Sequence, residues 1–410
     1  MKRIAIVNNG QLPLPSVRGG AVESLIQLLV DYNEIYHLFY FEIYSVYDEL
    51  AFTKAKDFHY SSFHYIKKNK KYIIKELLCR IYNAFSKRLK GDYLPPVLFS
   101  FMVKDLRANR LTRPVDAILT EGAPRYAHYL KQKTSLPIIQ RIHNLPMHIN
   151  RIWDIKNAKA TDMYIGISNY VCDVLAQFEG KYCSRIEVLH NSTDIRLFNY
   201  ELTNGEINKL REKYGMKPDD FVIIFTGRLQ EYKGVRELIT AFNKCKDLPN
   251  VKLLVVGGGF FSSTQKNEFE KSLVPLVSDN KENIIFTGYV EYSQIYRYYK
   301  ISNLAILPST WEEPFALTCL EALLCGTPVV ITQSGGMPEI VDYKCAVIVE
   351  KDDQLINSLE KEIRRLYSNP ALLESMSIHA RERAKVFNPD NHYLRFSDMV
   401  NTLLKNSTSN

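Results

Sequence analysis

The sequence predicts a doubly wound α/β protein built as two domains, and three observations carry that reading. Short apolar runs rich in β-branched residues recur along the chain, longer amphipathic stretches alternate with them, and one polar break divides the series. Before the break the runs are Ile4–Val7, Ala117–Leu119, Pro137–Ile139, Tyr164–Ile167 and Ile186–Leu189. After it come Val222–Phe225, Leu253–Val256, Ile284–Phe286, Leu304–Leu307, Val329–Ile331 and Ala346–Val349. Continuous apolar runs, without polar alternation, suit strands buried on both faces of a parallel sheet. Val22–Tyr32, Arg236–Cys245 and Leu317–Leu324 read as helices between them, and that alternation is the pattern of doubly wound sheets. The break is Asn191-Ser192-Thr193-Asp194 followed by the polar stretch Glu201–Asp220, after which a fresh strand opens at Phe221. Two Rossmann-like domains facing a central cleft are therefore expected, over residues 1–195 and 196–387, with a C-terminal helix at 388–405 packing back on the first. Asn406–Asn410 reads as disordered, and no repeat of 20–50 residues is visible.

The chain has 410 residues, 46% apolar and 24% charged, which is ordinary globular usage and excludes disordered, collagen-like and coiled-coil classes. Seven cysteines, an odd number, are scattered with no Cys-x-x-Cys pair, so neither a disulfide framework nor a zinc knuckle is indicated. The apolar run after Met1-Lys2-Arg3 stops at Asn8-Asn9, too early for a signal peptide core, and no run approaches the length of a membrane span. A cytoplasmic protein is expected.

Charge is concentrated. Between Ile66 and Lys90 lie nine cations (Lys67, Lys68, Lys70, Lys71, Lys75, Arg80, Lys87, Arg88, Lys90) and one anion, Glu76. That segment carries the whole net charge of +8. Ile73, Ile74, Leu77, Leu78, Ile81, Tyr82, Phe85 and Leu89 follow a helical period within it, which makes a basic amphipathic helix. Packing on the N-terminal domain with a solvated basic face is one expectation. Docking on an anionic membrane surface is the other, and the one favoured here. Nucleic acid is set aside because no recognition motif accompanies the patch.

Two stretches carry the chemistry. Gly227-Arg228-Leu229-Gln230-Glu231-Tyr232-Lys233-Gly234 follows the strand Val222–Phe225 directly, where an open α/β sheet binds phosphate. Arginine can grip phosphate oxygens in pairs and lysine adds a point charge. The second stretch, Trp311 to Gly326, reads as loop, helix and glycine stop, with Pro314 just before or at the first helical position. Amides near Phe315, Ala316, Leu317 and Thr318 would then open on an anion site fit for a diphosphate. Glu313 lies before that terminus and Glu321 about two turns inside it, both better suited to hydroxyl-rich groups than to phosphate.

Glu313-x7-Glu321 together with Gly227-Arg228-x4-Lys233-Gly234 resembles glycosyltransferase family 4, the retaining sugar-nucleotide enzymes of GT-B fold. Arg18-Gly19-Gly20-Ala21-Val22-Glu23 resembles the family's N-terminal Gly-Gly loop, and His143-Asn144 its active-site histidine. Ser168, Asn191-Ser192-Thr193-Asp194 and Ser334-Gly335-Gly336-Met337-Pro338-Glu339-Ile340 match later landmarks, so the likeness spans roughly residues 4–350. Ala316 stands where the family often has glycine, Asn144 where aspartate is frequent, and Cys345-Ala346 where a glycine is common.

The resemblance implies that Arg228 and Lys233 neutralise the donor diphosphate, Glu321 holds ribose hydroxyls and Glu313 contacts the transferred sugar. His143 would approach that sugar from the N-terminal domain, while Gly19 and Gly20 would let backbone come close to donor or acceptor. No cofactor is implied beyond the nucleotide sugar as co-substrate, and no metal, since fixed cations and helix amides supply the electrostatics. The absence of any Asp-x-Asp triplet agrees. The expected reaction moves a hexose from a nucleotide diphosphate sugar, UDP by default, to a hydroxyl of a glycan or polyisoprenoid-linked acceptor, in surface polysaccharide assembly. Two rivals are a sugar-nucleotide epimerase of the same shape and a non-catalytic GT-B subunit that stabilises a partner enzyme. Both are disfavoured, because all four charges are present.

Overall fold

A computed structural model describes residues 1–89, 93–108, 110–145, 152–178, 180–183, 185–258 and 268–407. The chain divides into two compact units, residues 1–193 with the returning segment from Pro389, and residues 194–388.

The first unit is a parallel sheet of β1 (Lys2–Val7), β2 (Phe39–Val46), β3 (Ser61–Ile66), β4 (Ala117–Glu121), β5 (Ile138–Ile142), β6 (Met163–Gly166) and β7 (Ile186–Val188). Their order is β3-β2-β1-β4-β5-β6-β7. The apolar runs explain this: Ile4 and Ile6 turn to one buried face while Ala5 and Val7 turn to the other. Helix Ala21–Tyr36 covers the first face, and helix Val97–Arg107 covers the second through Leu98, Phe99 and Met102. The C-terminal helix, Pro389–Ser407, belongs to this unit and sets Tyr393, Phe396, Met399, Val400, Leu403 and Leu404 into the same core as Phe39 and Phe41.

The second unit is also parallel throughout, with β8 (Phe221–Thr226), β9 (Val251–Val256), β10 (Ile284–Gly288), β11 (Leu304–Leu307), β12 (Val329–Thr332) and β13 (Ala346–Val349) in the order β10-β9-β8-β11-β12-β13. Each sheet reverses its direction of growth once, between β1 and β4 and between β8 and β11. The crevice beyond the carboxyl ends of such a strand pair is where open α/β sheets take ligands.

Some details differ from expectation. β2 and β3 carry no continuous β-branched run, because Glu42 interrupts one and Ser, His and Tyr the other. The polar stretch after the break contains helix Asn204–Lys213, started by a reciprocal cap between Thr203 and Glu206. Asn406 and Ser407 are helical rather than disordered, and residues 408–410 lie outside the described residues, as does Lys90.

Candidate active site

The β8 and β11 loops are tied together side by side. Tyr232 O accepts from Thr310 N at 3.0 Å and from Ser309 Oγ at 3.1 Å. Gly234 makes this approach possible: its φ is +72°, and a Cβ there would lie 1.8 Å from Pro308 O. The result places the Lys233 ammonium against Glu313, which also accepts from Ser309 Oγ at 2.7 Å. Lys233 lies over the rings of Tyr232 and Trp311, 5.6 and 5.7 Å from their centroids, which favours the cation further. Arg228 is exposed beside Tyr232, whose hydroxyl accepts from Nη2 at 3.2 Å, and among the described residues no carboxylate pairs with it. Its charge is therefore available to an anion.

The Ser334-Gly335-Gly336 turn holds the Glu313 loop from behind. Gly336 N donates to Glu313 O at 2.7 Å, Glu313 N donates to Ser334 Oγ at 3.2 Å, and Gly335 N donates to Glu312 Oε2 at 2.7 Å. A Cβ on Gly335 would lie 2.3 Å from Glu313 O, so the turn needs its glycine.

The helix beyond this loop is Leu317–Leu324, capped by Ala316. Two expectations are corrected here. Pro314 sits two residues ahead of the cap, not at the helix start, and Glu321 is just over one turn inside, not two. Ala316 has φ −92° and ψ 96°, ordinary extended backbone, so this position has no need of glycine. Phe315 and Ala316 are buried at the loop's end, and the amides of Leu317 and Thr318 have no intrahelical carbonyl ahead of them, as at any helix start. Glu321 is fully buried with the hydroxyls of Tyr299, 3.3 Å away, and Tyr292. Burial raises its pKa to about 7, against the lowering effect of those hydroxyls. Tyr299 also bonds Thr226 Oγ1 at 2.6 Å and Thr318 O at 3.0 Å, so Glu321 is linked to the end of β8 and to the helix start.

In the first unit the corresponding strand ends gather a second set. Gly19 and Gly20 lead into the first helix, with Gly20 at its N-terminus and φ +100°. Glu23, on that helix, accepts from Asn8 Nδ2 at 3.0 Å, and burial raises its pKa. His143, one residue past β5, is buried with Nε2 2.5 Å from Glu121 Oε2 at the end of β4. Burial lowers the His143 pKa, so the ring is neutral at pH 7. The carboxylate then fixes the proton on Nε2, leaving Nδ1 a buried acceptor without a partner among the described residues. Behind Glu121 the fully buried Arg141 lies 3.7 Å away, held at 3.2 Å by both Asn191 Oδ1 and His392 Nε2. Glu121, Arg141 and His392 were not anticipated. Polar residues inside strand runs show their partners only once the sheet order is known.

These two switch-point sites and two parallel sheets define the class: the fold is GT-B. Residues 206–383 match the family model described as glycosyl transferases group 1, which supports a glycosyltransferase. The YtcC protein of Bacillus subtilis (strain 168) is 24% identical over 392 residues, 93% of this chain and 88% of its own length. The capsular polysaccharide biosynthesis glycosyltransferase CapM of Staphylococcus aureus is 30% identical over 221 residues, 53% of this chain and 55% of its own. Among solved structures, Anabaena HepE in complex with UDP-glucose superposes with a TM-score of 0.71 at 19% identity, covering 98% of this chain and all of that one.

Proposed function

We propose that the chain is a retaining glycosyltransferase of the family 4 kind, moving a hexose from a UDP-linked donor to a hydroxyl of a lipid-linked glycan acceptor in cell-surface polysaccharide biosynthesis. The observation that carries this is the meeting of Lys233 and Glu313, from loops of different strands, beside the start of helix Leu317–Leu324. The HepE complex with UDP-glucose supports the donor class, and the CapM name supports the setting.

In this reading the donor diphosphate displaces Glu313 as the partner of Lys233, and Arg228 closes on it from the exposed side. As the bond between the sugar's anomeric carbon and the diphosphate breaks, its electron pair goes to a phosphate oxygen. Both cations and the amides of Ala316, Leu317 and Thr318 stabilise that charge. The acceptor oxygen bonds to the anomeric carbon, and its proton leaves with the nucleoside diphosphate. Glu313, released from Lys233, holds a sugar hydroxyl, and Glu321 with its tyrosines holds the ribose. His143, with Glu121 as its positioning residue, keeps the role toward the transferred sugar that the family resemblance gives it. No metal is needed. The acceptor is reached at the inner face of the cell membrane through the basic segment Ile66–Lys90.

The test is a turnover screen of several UDP- and GDP-sugars, with and without EDTA. Slow hydrolysis of a UDP-hexose that survives chelation is expected. Donor binding by calorimetry without turnover would favour a non-catalytic GT-B subunit, and loss of activity restored by added metal would overturn the account of the site.

A further inference from the structure

Helix Lys70–Leu89 is oriented the wrong way round for a helix that covers a core. Its inward side is Tyr72, Glu76, Cys79 and Asn83, of which only Tyr72 is fully buried. Ile73, Ile74, Leu77, Leu78, Ile81, Tyr82 and Phe85 are 46–60% exposed. At 100° per residue they span the arc opposite the inward side. A contiguous apolar face of this size on the surface marks an interaction site. Lys75 and Arg80 flank the arc, Lys67, Lys70 and Lys71 crowd its N-terminal end, and all five are exposed. An apolar strip framed by cations complements the boundary of an anionic leaflet, where acyl chains meet negative head groups.

One edge of the strip is also the wall of a pocket of 290 Å³. Ile73 and Leu77 line it from the helix, Gln11 lines it from the loop after β1, and Lys68 and Arg80 bring two cations. Glu76 lies there too, but its carboxylate is taken by Val97 N at 3.1 Å and by Arg80 at 3.8 Å. Lys68 donates to a neutral carbonyl, Gln11 O, at 2.9 Å. The pocket therefore offers donors and a net positive charge next to an apolar strip.

We propose that helix Lys70–Leu89 enters an anionic leaflet by its outward apolar face, and that the pocket on its flank receives the phosphate-bearing head of an amphiphile whose chain lies along that face. This rests on the lipid-linked acceptor of the reading above and assigns that acceptor a place in the chain. An amphiphile is favoured over free phosphate because the apolar wall is continuous with the strip.

Two measurements test it. The first is co-sedimentation with vesicles of 70:30 phosphatidylcholine and phosphatidylglycerol, in wild type and in Ile74→Ser/Leu78→Ser/Ile81→Ser/Phe85→Ser; these side chains are exposed, and circular dichroism checks the fold. A drop of at least tenfold in partitioning is expected. Equal pelleting overturns insertion, as does a wild type that stays in the supernatant as a dimer which the variant abolishes. The second is calorimetric binding of farnesyl phosphate, with farnesol and inorganic phosphate as comparison arms. Binding of farnesyl phosphate alone, weakened at least tenfold by Lys68→Gln/Arg80→Gln, is expected; equal competition by inorganic phosphate overturns the amphiphile assignment. UDP-sugar hydrolysis by wild type separates the two readings: pelleting without hydrolysis supports this proposal against the transferase, and hydrolysis without pelleting does the reverse.

Discussion

Glu321 is a carboxyl group held away from water, and that has a measurable cost. Unfolded, it titrates near the ordinary glutamate value of 4.5; folded, near 7. Between those values the folded state binds more protons than the unfolded one, so stability falls as pH rises, and the full cost, about 3 kcal/mol, is reached above pH 7. Glu321→Gln should therefore gain on the wild type in unfolding free energy between pH 4.5 and pH 8 while losing affinity for free UDP. A pH-independent difference would mean the carboxyl is already solvated. Lys233 makes the complementary case. Lys233→Ala leaves Glu313 buried beside Ser309 with its cation gone, which should cost about 2 kcal/mol of stability and reduce turnover by about 10- to 100-fold. Adding Glu313→Gln should restore much of the stability and none of the turnover; urea unfolding of the single and double variants decides. At this scale the charges were legible in the sequence and their partners were not. Lys233 and Glu313 are 80 residues apart, and only the adjacency of β8 and β11 brings them together.

Elements were the most legible level. Each run of β-branched residues became a strand; the central ones, such as β1, β4, β8 and β11, are buried almost throughout, while the edge strands β7, β10 and β13 are partly exposed. β2 escaped because Glu42 sits in its middle, buried, paired with Arg3 and in hydrogen-bond contact with His64 from the neighbouring strands. β3 escaped because it is an edge strand, half-covered, with no need to be apolar throughout. Connections were harder to foresee, because a loop's course depends on what it must avoid. Gly234→Ala tests one: the added methyl meets Pro308 O in a left-handed conformation, so a loss of at least about 2 kcal/mol is expected. The β8 and β11 loops should part, and nucleotide affinity should fall with stability. Unchanged binding would show that the two loops need not touch. The basic helix was legible as amphipathic, but its facing was not, because periodicity says which residues share a side and not where that side points.

For the whole molecule, the decisive feature is the C-terminal helix. Six apolar side chains of Pro389–Ser407 fill the core under β1 and β2. At about 1.5–3 kcal/mol each, they account for on the order of 10 kcal/mol, comparable with the entire stability of a domain. A chain ending at Asn388 should lose one of two calorimetric transitions, that of the first unit, and keep the other; retention of both would show the helix to be dispensable. His392 makes the same helix part of the polar cluster behind His143, so even a partly folded truncated form should have a misplaced histidine. The dyad of helix and sheet also sets an order of events during synthesis. Residues 194–388 are contiguous and can fold as soon as they clear the ribosome. The first unit is translated earlier and finished later: one face of its sheet, covered by helix Ala21–Tyr36 but still lacking the C-terminal helix, stays partly open while 195 more residues are made, roughly 10–40 s at bacterial-like elongation rates of about 5–20 residues per second. The nascent chain thus completes its second half first, and for that interval the first half is a client for whatever in the cell shields exposed sheets.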